Sequence, residues 1–176
     1  MFPGAGLSPL PPPDHPILHL SEFLRSPQGR YVLAWEQRHL DHAVSDIFGY
    51  HALQLGLREL DALRENRMPL RVCASDRIDD ECGAGDSHCA VSVLNRYDEL
   101  PFATHSIDLV VMPHILEFAT EPHQVLREVD RVLVPEGHVV ITGFNPLSLW
   151  GVRQWLTRLG MQPYLPREGQ FIGLPR

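Results

Sequence analysis

The amino-acid sequence predicts an α/β fold organised on a doubly wound, mostly parallel sheet. The first observation behind this is the run Ser106-Ile107-Asp108-Leu109-Val110-Val111-Met112, continuously aliphatic in the way of a strand buried on both faces. The second is the segment that follows. Thr120-Glu121-Pro122 offers a cap and a first-turn proline, and Val125, Leu126, Val129, Val132 and Leu133 recur on one helical face. The third is the turn Pro135-Glu136-Gly137 leading into His138-Val139-Val140-Ile141-Thr142-Gly143-Phe144, a further aliphatic strand. Strand, helix, strand in this order is a βαβ unit with a right-handed crossover, and its repetition along the chain implies helices on both faces of a parallel sheet.

The earlier elements follow the same logic. Residues 1–16 hold six prolines and two glycines, a composition suited to an extended arm. In the helical segment at 17–48, Ser26-Pro27 is a start signal, and Tyr31, Trp35, Leu40, Val44 and Ile47 follow near helical spacing, predicting a helix over 27–47. The core of the domain is expected at 49–145. Gly49 to Gly56 alternates as a first strand, LRELDALREN is a helix-prone segment, and Pro69 to Ala74 is a second strand ending at Ser75-Asp76. A polar, glycine-containing loop then leads to a short third strand at 90–94. Beyond the core, 146–156 reads as a helix within a C-terminal segment at 146–176.

Composition narrows the function classes. Among 176 residues, 22 acidic side chains outnumber 15 basic ones for a net charge of −7, so a broad electrostatic footprint on nucleic acid is not expected. The N-terminus lacks a basic start followed by an apolar run, and no stretch is apolar enough to span a bilayer. A cytoplasmic location with no membrane contact is therefore expected. The odd number of cysteines, Cys73, Cys82 and Cys89, fits reduced thiols in that setting. Cys82, His88 and Cys89 lack paired metal-ligand spacing, so no metal site is expected.

The segment from Tyr97 to Phe144 carries a family resemblance. Leu100-Pro101-Phe102 follows an acidic stretch, Ile107-Asp108 opens a strand, and Arg131-Val132-Leu133-Val134-Pro135-Glu136-Gly137 opens the next. These motifs resemble the second half of the broad, Rossmann-like superfamily of S-adenosylmethionine-dependent methyltransferases, and GYHALQLG with GFNPLSLWG resembles, more narrowly, a small bacterial-type group of methyltransferase-like proteins. The resemblance implies a transferase that uses S-adenosylmethionine to methylate an acceptor, with the cofactor at the carboxyl ends of the strands. It implies cofactor contacts at Leu55 and Gly56 after strand 1, Asp76 after strand 2, Tyr97, Asp98, Glu99 and Leu100 after strand 3, and Pro113 after strand 4. His114 is a candidate base facing the acceptor, with Glu117 one turn on to orient it.

The sequence also departs from the family's pattern. Where members carry Gly-x-Gly-x-Gly, this chain reads Leu55-Gly56-Leu57-Arg58-Glu59, with one glycine. Asp76 is in place for the ribose hydroxyls, and is equally readable as a solvated loop acid. Arg96 stands where an acidic residue faces the adenine amine, and arginine cannot accept that bond. These departures keep open an alternative, a non-catalytic methyltransferase-like binding or regulatory module. The acceptor, small molecule or macromolecule, is not named by any residue pattern. Resembling enzymes have seven strands, the last two an antiparallel hairpin beside strand 5. The 32 residues after Phe144 leave room for less, so the hairpin is expected to be lacking, with a longer native chain or a second copy covering strand 5.

Overall fold

The computed structural model describes residues 20, 23–76, 91–94 and 96–144. The proline-rich arm, the loop with Cys82, His88 and Cys89, and the C-terminal segment at 146–176 lie outside these residues, and with them the expectations about the helix at 146–156 and the missing hairpin. The elements are α1 (Pro27–Ser45), β1 (His51–Leu55), β2 (Leu70–Ser75), β3 (Val91–Leu94), β4 (Ile107–Pro113), α2 (Ile115–Phe118), α3 (Pro122–Val132) and β5 (Leu133–Thr142). All strand pairs are parallel, in the order β3-β2-β1-β4-β5. The order reverses between β1 and β4, the place where such sheets open a crevice at their carboxyl ends.

Strand alternation sends neighbouring residues to opposite faces. Ala52, Leu109 and Val111 pack with Leu40 and Val44 of α1 on one face. On the other, Leu53, Leu55, Val110 and Met112 pack with Val125, Val129 and Val132 of α3. Motif residues tie the strands together. The Asp108 carboxylate accepts the backbone N–H groups of Tyr50 and His51, both at 2.9 Å, and so satisfies the start of β1. A side chain at Gly49 would lie 2.5 Å from Asp108 Cβ, which explains the glycine. Arg131 donates to the carbonyls of Leu100 and Phe102, each at 2.9 Å, while Glu128, bound to Arg131, accepts the Leu100 N–H at 3.0 Å. The Leu-Pro-Phe and Arg-Val-Leu motifs are thus two sides of one clamp.

Several expectations are corrected. α1 is capped as expected, Ser26 Oγ accepting the Gly29 N–H at 3.0 Å, but Tyr31 and Trp35 are 73% and 48% exposed. The buried face of α1 runs instead through Gly29, Glu36, Leu40 and Val44. α3 is N-capped at Glu121, without a side-chain bond, rather than at Thr120. β5 begins at Leu133, so the Pro135-Glu136-Gly137 turn is an interruption within the strand, at a register shift where Ile107 faces Leu133 and Leu109 faces His138. Cys73 is disulfide-bonded, not the reduced thiol expected.

The largest correction concerns residues 57–66, which form successive turns and no helix. The cause lies on β1. Gln54, buried at 1% exposure, donates to the carbonyls of Leu57 and Leu60 and accepts the Ala62 N–H at 2.9 Å. Asn66 likewise donates to the carbonyls of Val44 and Ile47. Side-chain amides thus replace the helical ladder and let Leu57, Leu60 and Leu63 bury in the α1-side core. Gln54→Leu should therefore cost roughly 3 kcal/mol or more, since three buried backbone groups lose partners at about 1–3 kcal/mol each. Urea denaturation checks this; a loss under about 1 kcal/mol contradicts the assignment.

Candidate functional site

A cleft of about 570 Å³ opens where the carboxyl end of β2 meets the segment after β3 and the start of α2. This is within the ordinary range for small-molecule sites. Its lining combines the polar Asp76, Tyr97 and Asp98 with the apolar Ile115, Phe118 and Val125, and Arg96, Thr120 and Glu121 add further polar groups. A lining that mixes acceptors with apolar surface suits a ligand with a hydroxylated ring and a flat base.

Asp76 follows β2 directly and is exposed. Its Oδ1 accepts the Tyr97 hydroxyl at 3.0 Å, and the Asp76 N–H points back to that hydroxyl at 3.3 Å. Burial, joined by the Asp76 charge, holds the Tyr97 phenol well above its ordinary range, so it stays a proton donor to the carboxylate. An ionised carboxylate has about four lone-pair sites, and Tyr97 uses one. Arg96 pairs with Asp98 through Nε at 3.0 Å and a terminal nitrogen at 2.7 Å. This hydrogen bonding lowers the Asp98 carboxyl below its usual range.

Gly56 ends β1 with φ +71°, and its N–H donates to the Ala74 carbonyl at 2.8 Å. A Cβ on Gly56 would sit 2.1 Å from Ile115 Cδ1 and 3.3 Å from the Tyr97 hydroxyl oxygen. Both conformation and space demand glycine here. The space left by the missing side chain is taken by Ile115.

Of the residues singled out in the sequence, Asp76, Tyr97 and Asp98 come together in the cleft. Leu55, Gly56, Leu100 and Pro113 are buried behind it, and Glu99 is exposed, its N–H in a turn with the Arg96 carbonyl. The apolar wall of Ile115 and Phe118 was missed: Ile-Leu-Glu-Phe is a single helical turn, with no periodicity long enough to read.

His114 is 2% exposed and sits in the left-handed region with φ 55°. Its Nδ1 meets Glu117 Oε2 at 2.8 Å and its Nε2 meets Glu36 Oε1 at 2.9 Å. The Phe144 ring lies against it at 4.3 Å between centroids. Both ring nitrogens are therefore engaged. A neutral imidazole has only one donor, whereas two carboxylates ask for two. Burial pulls the His114 pKa down, but the hydrogen bonds and charges of Glu117 and Glu36 outweigh it and raise the pKa to about 9.

The comparisons with known proteins agree with this architecture. Residues 61–141 match the model of a methyltransferase domain. The matched segment is a little under half of the chain. The chain is also similar to the uncharacterized protein YafS of Escherichia coli (strain K12), 31% identical over 128 residues that cover 73% of this chain and 50% of YafS. It thus spans about half the length of that curated relative. Among solved structures, a chain of the complex formed by the Haloferax volcanii Trm112 methyltransferase activator aligns with a TM-score of 0.57 at 20% identity, covering 73% of this chain and 58% of that one. A SAM-dependent methyltransferase from Thermotoga maritima aligns at 0.54 and 18% identity, covering 81% and 71%. At these identities the likeness is one of fold, the Rossmann-like sheet expected from the sequence. Among the described residues, no helix is long and apolar enough to cross a membrane.

The raised His114 pKa has a consequence for stability. A proton held more tightly in the folded state stabilises fully below the unfolded value of about 6.5 and loses that effect as pH rises through about 9. The difference corresponds to on the order of 3 kcal/mol. Urea denaturation between about pH 6 and pH 10 should show the decline in the wild type and a flatter profile in His114→Gln. Superimposable profiles contradict the assignment.

Proposed function

We propose that the cleft binds S-adenosylmethionine and that the chain acts as a methyltransferase domain toward an acceptor not yet identified. The observation that carries this reading is the exposed Asp76 carboxylate at the carboxyl end of β2, held by the Tyr97 hydroxyl and facing an apolar wall. Asp76 accepts the ribose hydroxyls, as ionised carboxylates do. Tyr97 fixes the carboxylate from below. Ile115 and Phe118 pack against the adenine and exclude water from that side.

The residues fit the adenosine part of the cofactor. They do not reproduce the glycine-rich approach to its methionine part, because Ile115 fills the space above Gly56. When bound, the cofactor supplies an activated methyl group, and the protein's contribution is positioning. His114 suits that task better than proton abstraction, since both its nitrogens bind carboxylates.

A second reading, a binding or regulatory module without turnover, is favoured by Ile115 over Gly56 and by the pairing of Arg96 with Asp98. Calorimetry separates the readings. S-adenosylmethionine and S-adenosylhomocysteine should bind the wild type, and Asp76→Ala should weaken both by about 1.5–3 kcal/mol, the loss of a charged hydrogen-bond partner. Binding without methyl transfer to any acceptor supports the module. No heat and no thermal shift at millimolar ligand overturns both readings of the cleft.

A further inference from the structure

We propose that Glu36 of α1 is a positioning residue for the cleft, acting through His114 to hold α2 and its Ile115 side chain over Gly56. This rests on the cofactor-site reading above and extends it to an element outside the 61–141 methyltransferase match.

The argument begins with α2. It is one turn long, and its N-cap residue, His114, makes no capping side-chain bond. So short a helix does not hold itself. Its anchors are the contacts of His114 and Glu117. The His114 N–H donates to the Thr142 carbonyl at 3.0 Å, and Glu117 accepts both the His114 Nδ1 proton and the Phe144 N–H. On its far side the imidazole reaches Glu36. Glu36 is buried, and its Oε2 has no hydrogen-bond partner among the described residues. The bond to His114 is therefore the polar contact that compensates burial of this carboxylate. The next residue after His114 is Ile115, whose Cδ1 fills the space above Gly56 and whose side chain lines the cleft. The chain from α1 to the ligand wall is Glu36, His114, Ile115.

The charged groups facing the imidazole are Glu36 from α1 and Glu117 from α2, while the exit of β5 adds the Phe144 ring. Only the protonated ring donates to both carboxylates. Wall position is thereby linked to the state of one proton.

The test compares Glu36→Ala, Glu36→Gln and the surface control Trp35→Ala in calorimetric titrations with S-adenosylhomocysteine. Glu36→Ala should weaken binding at least about tenfold at neutral pH, and Trp35→Ala should leave it unchanged. Glu36→Gln keeps an acceptor for Nε2 and should bind within about threefold of wild type at neutral pH. With one carboxylate gone, however, the pH at which its affinity declines should move down by about one unit or more from the wild-type position. A folded Glu36→Ala with wild-type affinity, or a Glu36→Gln profile that superimposes on wild type, overturns the proposal.

If the wild type itself binds neither cofactor form, the cofactor reading fails on its own, and amide exchange decides the positioning claim. The Ala119 N–H, bonded to the Ile115 carbonyl at 3.0 Å, should then exchange at least about tenfold faster in Glu36→Ala, or in Glu36→Gln above the pH of its transition. Unchanged exchange in both variants overturns the proposal.

Discussion

The His114 imidazole, clasped between Glu36 and Glu117, is the junction on which the upper end of the sheet depends. Three separate pieces of chain meet there: α1 on one face, the turn leaving β4, and the exit of β5 through Phe144. A buried ion triad is a costly way to join elements unless every charge finds a partner. Here the imidazolium serves both carboxylates at once, and the left-handed backbone of His114 aims the ring between them. Each ring N–H serves one carboxylate, and Glu36 Oε2 is left without a hydrogen-bond partner among the described residues.

The rest of the site grows outward from that junction. Parallel pairing brings the carboxyl ends of β1, β2 and β4 to the same edge. Gly56 leaves space at the end of β1, and Ile115, delivered by His114, fills it. Tyr97 then reaches across to Asp76. The result is a cleft whose polar side is set by β2 and the segment after β3, and whose apolar side is set by the turn after β4. The proposed ligand matches this division, since a ribose needs acceptors and a purine face needs apolar contact.

Much of this was legible in the sequence, for identifiable reasons. Ile107 to Met112 could only be a strand buried on both faces, and the crossover to β5 followed from the proline start and valine stripe of α3. The place of Asp76 after the second strand was legible because Ser75-Asp76 closes an apolar run. The misses are equally physical. Leu57, Leu60 and Leu63 have helical spacing, yet Gln54 supplies from the neighbouring strand the hydrogen bonds that a helix would otherwise make. Tyr31 and Trp35 precede Leu40 and Val44 near helical spacing, but the buried face of α1 is centred on Glu36 and Leu40. Glu36 was not singled out in the sequence. Its partner lies 78 residues away, a distance over which a single sequence offers no pairing signal.

The central claim is that the wall made by Ile115 and the edge made by Asp76 form a cofactor site. The most direct measurement is a methyl-resolved NMR titration with isoleucine labelled at Cδ1, adding S-adenosylhomocysteine. Ile115 lines the cleft, whereas Ile47 packs against the opposite core. The account predicts a saturable shift of the Ile115 methyl with Ile47 unmoved, and loss of that shift in Asp76→Ala. Saturable shifts confined to other methyl groups, with Ile115 silent, would contradict it.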